Sequence, residues 1–211
     1  LEFGKGYSLK EVSAPYGYVL SHEAVKFDVT EENSTEESGV TVVAVKLGNY
    51  AQKGIIKISK TGEVFASVTA ADGVYRPVYT VQGLAGATYE IKAAADIYTP
   101  DGTLRCSAGE VVDTVTTGAD DTVESKPLYL GKYEITEMKA PDGMVVNKDS
   151  HTAELVYADQ EIEITETAAS FCNDRQKARI SLSKVLEQNK QFGIGMNNEL
   201  SAVTFGFYAA E

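Results

Sequence analysis

Tryptophan is absent from the 211 residues of this chain, and cysteine, histidine and methionine together contribute only seven residues. His22 and His151 lie far apart in the sequence, each after a turn region, and two such histidines do not make a metal-ligand set. We therefore expect neither a metal ion nor any other cofactor. Cys106 and Cys172 leave two alternatives open, a disulfide bond or two unpaired core thiols.

Long apolar runs and an excess of basic residues are also missing. No run of about 18 apolar residues occurs, so the sequence predicts no membrane insertion of this segment. The net charge of −12 argues against nucleic acid or an anionic membrane as a partner, because both require a basic face. No signal peptide or sorting motif is recognisable, and we interpret the chain as an excised segment of a longer protein.

Short alternating runs of apolar and polar residues dominate the chain, and Gly, Asp and Asn separate them. This pattern predicts an all-β fold of one or two domains, and no amphipathic helix is recognisable. The acidic stretch 31–39 is predicted to be a solvated hairpin loop. The predicted strands are 24–30, 39–49, 55–60, 64–69, 78–81, 87–93, 111–115, 123–130, 133–137, 152–157, 161–165, 169–173 and 180–184.

One stretch occurs twice, at 7–17 and at 133–143. Each copy begins as a strand with an aromatic and an aliphatic residue at alternate positions, and an Ala-Pro-x-Gly turn follows. The next position on the apolar face is a glutamate, Glu11 in the first copy and Glu137 in the second. A carboxylate that points into the core is costly when it is unpaired, so each glutamate requires a partner.

A second repeat defines the domain organisation. Asn49 and Asn173 open similar stretches, and Lys60 and Lys184 each follow their asparagine by 11 positions. The segment 84–91 also returns at 200–207. The predicted domains, cut from a tandem array, are 1–50 (the end of one domain), 53–175 (a complete domain) and 178–211 (the beginning of a third).

Three polar residues lie at inward positions of separate predicted strands, namely Lys60, Glu137 and Asn173. Burial favours a neutral lysine and a protonated glutamate. The Lys60 amine could then attack the side-chain carbonyl of Asn173 while Glu137 hydrogen-bonds that carbonyl and moves protons. Ammonia would leave and an amide would remain, since folding makes the reaction intramolecular.

Each member of this set also has a simpler interpretation. Lys60 could be a solvated strand end, Glu137 a surface residue and Asn173 a strand cap. Lys57 is a rival nucleophile and Asp174 a rival electrophile, although both are predicted on the opposite, polar faces of their strands. We interpret the tyrosines outside this set as core or edge packing rather than a sugar-binding platform; they are Tyr75, Tyr79 and Tyr89.

The ordered motifs resemble those of the collagen-adhesin B-type (Cna protein B-type) domains and the SpaA-like pilin domains of Gram-positive surface proteins. The stretch 133–143 is similar to their E-box, Ile58-Ser-Lys60 to their first strand, and Phe171-Cys-Asn173 to their last. Two departures occur: Met144 replaces the usual aromatic residue, which Tyr18 retains, and the connection 64–83 is longer than the minimum.

The resemblance implies a transthyretin-like (Ig-like reversed) β-sandwich in tandem repeats, with a self-generated Lys–Asn isopeptide bond. It also implies an extracellular, cell-wall-attached stalk segment of an adhesin or pilus, with neighbouring repeats as its partners. The cross-link is a single turnover, so the chain is not expected to be an enzyme. The alternative function is a ligand-binding adhesin module that recognises a host matrix protein or glycan.

The two partial domains carry incomplete sets, Glu11 with Asn49 at one end and Lys184 at the other. Head-to-tail assembly could join them, with 178–211 of one molecule completing 1–50 of the next. The sequence disfavours this arrangement, because nothing equivalent to 95–127 would be present.

Overall fold

The computed structural model describes residues 1–71, 73–193, 195, 198, 201 and 203–206. Two compact units are present, Leu1–Gln176 and Lys177–Glu211, and each is described by itself. The strands, all in the first unit, are β1 Gly4–Leu9, β2 Val25–Val29, β3 Thr35–Glu37, β4 Val40–Val42, β5 Lys53–Ala71, β6 Val74–Gly83, β7 Thr88–Ala93, β8 Ile97–Tyr98, β9 Leu104–Cys106, β10 Val111–Thr116, β11 Thr122–Glu124, β12 Leu128–Tyr129, β13 Gly131–Lys139, β14 His151–Leu155 and β15 Ile164–Asn173.

Two sheets enclose the core of residues 53–176. One sheet has the order β10-β7-β13-β14, and β5 organises the other, with β15 along one edge and β11 and β12 along the opposite edge. The β5–β15 pair is parallel, and the neighbouring pairs are antiparallel. Both sheets contribute to one buried cluster, so the predicted all-β sandwich is confirmed. Its large members include Ile56, Ile58, Tyr89, Ile91, Tyr133, Ile135, Leu155 and Phe171.

The alternation of β5 explains how its side chains divide between core and surface. Even-numbered residues from Gly54 to Lys60 are buried, and the odd-numbered residues between them are half-buried. This is the period of two expected for a strand with one core face. Position 54 requires glycine for a steric reason, because a Cβ there would lie 2.7 Å from Leu155 Cδ2 and from Thr165 Cγ2.

Several predicted strands are longer in the structure. The predictions at 55–60 and 64–69 fall in the single strand β5. The prediction at 169–173 falls in β15, which begins at Ile164 and so includes only the last two residues of the prediction at 161–165. Pairing explains both mergers, because β15 runs continuously beside β5 from Ile164 opposite Lys53 to Asn173 opposite Gly62. The long predicted connection 64–83 is the end of β5 together with β6, which form an antiparallel ribbon.

Residues 1–50 contain two small antiparallel sheets, β1–β2 and β3–β4. The predicted loop 31–39 includes β3, and Ser38 and Gly39 form a two-residue turn with φ values of 53° and 76°. The predicted strand 39–49 is strand only at Val40–Val42. The rest lacks a paired neighbour in the described part of the chain, although Val43, Val45, Leu47 and Asn49 remain half-buried.

Residues 15–52 and residues 141–176 share a pattern of backbone hydrogen bonds. In the first range, backbone N–H groups donate to backbone carbonyls from Tyr18 to Pro15 (3.1 Å), from Val19 to Tyr50 (2.9 Å) and from Gln52 to Gly17 (2.9 Å). Their counterparts are Met144 to Pro141 (3.1 Å), Val145 to Asp174 (2.9 Å) and Gln176 to Gly143 (2.8 Å). The sequence repeat is therefore accompanied by a repeat of local structure. The domain boundaries themselves stay a prediction.

Side chains also join residues 1–50 to the segment that follows. The Gln52 side chain is buried: its Nε2 donates to the Asp159 carbonyl at 2.8 Å, and its Oε1 accepts from the Ala158 N–H at 3.0 Å. Gln160 accepts from Ala14 N–H through its side chain and from Leu20 N–H through its backbone, both at 2.8 Å. The joint is thus held by buried polar contacts as well as by the chain.

The second unit shows no strand in its described residues. The stretch 180–184, predicted to alternate as a strand, has exposed side chains, with Ile180 at 72% and Leu182 at 57% exposure. It has no paired strand to bury that pattern against. Of the predicted repeat at 200–207, positions 200, 202 and 207 lie outside the described residues, as does 208–211 of the predicted third domain. No helix in the described ranges is long and apolar enough to cross a membrane.

Candidate functional site

Lys60 lies on the core face of β5, in line with Ile56 and Ile58, and its side chain is fully buried. Its backbone fixes the position, because Lys60 N–H donates to the Asp121 carbonyl at 2.9 Å and its carbonyl accepts from Leu84 N–H at 3.0 Å. A lysine in this environment is rare, since burying an ammonium group without a partner is costly.

Glu137 faces Lys60 from the opposite sheet, on β13. Its Oε1 lies 2.9 Å from Lys60 Nζ, and both side chains are fully buried. Its Oε2 accepts from the backbone N–H of Asn147 at 2.7 Å. The same glutamate therefore contacts the lysine and the loop that follows its own turn.

Asn173 ends β15, the strand next to β5, and is 2% exposed. Its Nδ2 donates to Glu137 Oε2 at 2.7 Å and to the Val145 carbonyl at 2.5 Å. The structure therefore brings Lys60, Glu137 and Asn173 together at one buried point. The contact differs from the sequence expectation in one respect: the amide nitrogen of Asn173, rather than its carbonyl oxygen, faces Glu137.

Three atoms of this cluster have no hydrogen-bond partner among the described residues, namely Lys60 Nζ, Glu137 Oε1 and Asn173 Oδ1. The Nζ–Oε1 contact has the distance of an ion pair without the angles of a hydrogen bond. Buried polar atoms are normally hydrogen-bonded, and clusters of unsatisfied ones mark strain or chemistry. Here the unsatisfied atoms belong to an amine, a carboxylate and an amide carbonyl.

Aromatic rings enclose the cluster. The Phe171 ring centroid lies 5.9 Å from Lys60 Nζ and 4.6 Å from the Tyr89 ring centroid. Tyr89 is fully buried and lies opposite Glu137 in the β7–β13 register. Burial, and secondarily the Glu137 carboxylate, raises the pKa of the Tyr89 hydroxyl. The sequence placed Tyr89 in packing, but spacing alone gives no register between β7 and β13, so its proximity to Glu137 was missed.

The rival residues lie elsewhere. Lys57 points away from the core, with Nζ 2.8 Å from Glu166 and 3.6 Å from Glu124. The hydrogen bond to Glu166 raises the pKa of Lys57. Asp174 is exposed. Neither residue is available to the buried cluster.

The partial site at Glu11 repeats part of this geometry. Asn49 Nδ2 donates to Glu11 Oε2 at 2.7 Å and to the Val19 carbonyl at 3.1 Å, and Ser21 N–H donates to Oε2 at 2.8 Å. Within the described residues of the first unit, no lysine amine lies within 4.0 Å of Glu11. Lys184, in the second unit, is exposed.

Other candidate residues take separate positions. Cys106 is half-buried against the core and Cys172 is exposed, and both thiols are free. The disulfide alternative and the pair of core thiols are therefore not what the structure contains. Tyr75 and Tyr79 are 75% and 39% exposed, so the expectation of packing is wrong for Tyr75. The described residues include no group of three His, Cys, Asp or Glu side chains that could hold a metal ion.

Comparison with solved structures gives several similar chains. The Bacillus anthracis TIE protein is 25% identical, with a TM-score of 0.44, and the match covers 80% of this chain and 25% of that one. A C-terminal fragment of the pilus adhesin SpaC from Lactobacillus rhamnosus GG is 16% identical, with a TM-score of 0.41 and coverages of 86% and 80%. The minor pilin GBS52 of Streptococcus agalactiae is 15% identical, with a TM-score of 0.38 and coverages of 76% and 61%.

The chain thus spans a quarter of the length of the Bacillus anthracis protein that it matches. No curated protein matches it by sequence. The family comparison is more direct, because residues 78–168 match the model for SpaA, described as a prealbumin-like fold domain. This match covers β7, β10, β13 and β14, and with them the strand that carries Glu137. The resemblance to SpaA-like domains drawn from the motifs is confirmed by this match: residues 78–168 are similar to a prealbumin-like fold domain.

Proposed function

We propose that this chain is a structural stalk segment of a bacterial surface adhesin or pilus, and that its central domain forms an isopeptide bond between Lys60 and Asn173. The observation that carries the proposal is the buried contact of Glu137 with both residues, at 2.9 Å from Lys60 Nζ and 2.7 Å from Asn173 Nδ2. The SpaA family match supports the surface location.

The geometry suits a proton transfer through Glu137. In the first step of the proposed reaction, the Lys60 ammonium transfers one proton to Glu137 Oε1, which leaves a neutral amine. The amine nitrogen then attacks Cγ of Asn173 and forms the new C–N bond.

Glu137 next passes this same proton to Asn173 Nδ2, and the Cγ–Nδ2 bond breaks. The attacking nitrogen loses its second proton to the carboxylate and keeps the third as the amide N–H. Ammonia leaves and carries the surplus proton away as ammonium. Glu137 is regenerated, but the site is consumed, so the reaction occurs once per chain.

The bond would join the first and last strands of the domain. Because β5 and β15 are parallel neighbours, a pull on the two ends of the domain shears this pair. A covalent link from Lys60 to Asn173 carries the load past the hydrogen bonds of the sandwich. Closing a loop of about a hundred residues also stabilises the domain by about 4–5 kcal/mol in a chain-entropy estimate.

Intact mass spectrometry of the folded protein tests the proposal. We expect the wild-type chain to be one ammonia lighter than its sequence, and a digest to contain a branched peptide that joins Lys60 to Asn173. Lys60→Ala and Asn173→Ala should each restore the full mass and lower the melting temperature. Lys57→Ala is the matched control, since Lys57 faces outward, and it should retain the ammonia loss. A folded wild-type chain of full mass would overturn the proposal.

A further inference from the structure

A two-stranded ribbon extends from the sandwich, and its strands pair only with each other. Beyond Gly62, β5 has left β15, and among the described residues β6 pairs with β5 alone. We call residues 63–71 and 73–83 the arm. A two-stranded ribbon is at best marginally stable in water without a further surface to cover it.

A β-bulge gives the arm one apolar face. The register shifts between Phe65 and Ser67, so Ala66 is the extra residue. Without the shift, Ser67 and Thr69 would share a face with Phe65. With it, that face receives Val68 and Ala70 instead, opposite Pro77 and Tyr75. The resulting arm face consists of Glu63, Phe65, Val68, Ala70, Tyr75, Pro77, Tyr79 and Val81.

This arm face is open to solvent. Phe65 is 53% exposed, Val68 52%, Tyr75 75% and Val81 63%. Together the exposed side chains offer roughly 500 Å² of mainly apolar surface, in the range that marks an interaction site on a monomer. Arg175, just after β15, fixes the base of the arm: its guanidinium lies 4.4 Å from the Tyr79 ring centroid, and its Nη1 donates to the Glu63 carbonyl at 3.3 Å.

The arm is also nearly uncharged in a strongly acidic chain. Residues 63–83 contain two carboxylates, Glu63 and Asp72, and one guanidinium, Arg76, against a net charge of −12 for the whole chain. Arg76 lies on the other face of the ribbon, opposite Thr69. Two copies of this chain, each with a net charge of −12, would repel each other, and the arm face contributes one carboxylate, Glu63, to that repulsion.

We propose that the arm face binds the arm face of a second copy of this chain, in a two-fold symmetric contact. A flat, apolar ribbon is complementary to itself, and a symmetric contact uses the same patch on both partners. The contact would bury roughly 1,000 Å² in total, at the lower limit for a specific interface, so the dimer is weak and reversible.

Pairing takes place through the face rather than the edge. Pro77, in β6, has no N–H to donate to a strand added along the β6 edge. The contact is independent of the isopeptide bond, because Lys60 lies in the buried part of β5.

Analytical ultracentrifugation of the full chain over the micromolar range tests the proposal. We expect a monomer–dimer equilibrium with a micromolar Kd. This Kd should decrease as salt is added, because salt screens the repulsion between two acidic chains. The arm-face variant Val68→Thr/Tyr75→Ser should raise Kd about tenfold or more, since both substitutions remove central apolar contacts.

The matched control substitutes the opposite face, Thr69→Ser/Thr80→Ser, and should leave Kd within about twofold. The Lys60→Ala variant, which cannot form the proposed isopeptide bond, should dimerise with the same Kd as wild type. Failure of the cross-link proposal would therefore leave this test unaffected. Monomers at every concentration, or an equal loss in the control, would overturn the proposal. Binding of an immobilised host polypeptide or glycan through Tyr75 by a chain that stays monomeric would assign the arm face to that ligand instead.

Discussion

Glu137 contacts both groups that the proposed reaction would join. A single substitution can separate its hydrogen bonding from its proposed proton transfer. Glutamine retains the size and hydrogen-bonding capacity of glutamate but has no proton to relay. We expect Glu137→Gln to fold and to keep the full mass of its sequence in intact mass spectrometry. Glu134→Gln, three positions earlier in β13 and half-buried outside the cluster, should still lose ammonia. Ammonia loss in Glu137→Gln at the wild-type rate would contradict a proton shuttle at this residue.

Two buried tyrosines should set the alkaline limit of stability. Burial raises the pKa of Tyr89 and of Tyr133 above the ordinary tyrosine value of about 10. Above that pH the unfolded chain releases these protons while the folded chain holds them. The stabilisation is therefore complete below about pH 10 and is lost as pH rises further.

Urea unfolding of wild type and Tyr89→Phe at neutral and alkaline pH measures this effect. Phenylalanine cannot ionise, so raising the pH above 10 should reduce the stability of the variant less than that of wild type, each compared with its own value at pH 7. If the free energies of unfolding of the two proteins fall equally between pH 7 and alkaline pH, Tyr89 does not contribute to the alkaline loss of stability.

Period-two spacing was sufficient to predict that Lys60, Glu137 and Asn173 point inward, because each lies in a strand with clear apolar neighbours. It could not predict that Tyr89 lies opposite Glu137, or which amide atom of Asn173 contacts the carboxylate. Those features depend on the register between strands and on side-chain rotation, and neither is encoded in the spacing along one strand.

At the scale of elements, the close approach of β14 and β15 to β5 depends on Gly54. A Cβ at this position would lie within 2.9 Å of two side-chain carbons and the Thr165 carbonyl oxygen. Gly54→Ala should therefore force these strands apart and reduce the free energy of unfolding by about 1–3 kcal/mol. Chemical denaturation measures the loss. Gly48→Ala is the control, since nothing lies within 4 Å of its Cβ position, and an equal effect at both sites would contradict the steric explanation.

The type of most elements was predictable from the sequence, but their lengths were not. The stretch 161–173 reads as two strands because polar residues interrupt its alternation, yet pairing with β5 keeps it continuous as β15 from Ile164. The opposite error occurs at 39–49, where a clear alternation is strand only at Val40–Val42. Tertiary pairing therefore extended one pattern, and its absence among the described residues shortened the other.

At the scale of the whole first unit, Gln52 holds residues 1–50 to the segment that follows. Gln52→Ala would leave the Ala158 N–H and the Asp159 carbonyl without their partner, at a cost of about 1–3 kcal/mol. Hydrogen exchange should show faster exchange at Ala158 in this variant. Gln176, the counterpart of Gln52 in the repeat, has an exposed side chain, so Gln176→Ala should have no such effect. Unchanged protection at Ala158 would mean that the joint does not depend on Gln52.

The proposed link between β5 and β15 has a consequence for resistance to proteases. With Lys60 and Asn173 joined, a protease that cuts any single loop between them, such as the exposed turn at 107–110, opens a ring and leaves both ends of the molecule connected. A cut before residue 60 or after residue 173 would still separate the two ends of the chain. Most of the domain's exposed loops could thus be cut without separating the two ends of the chain.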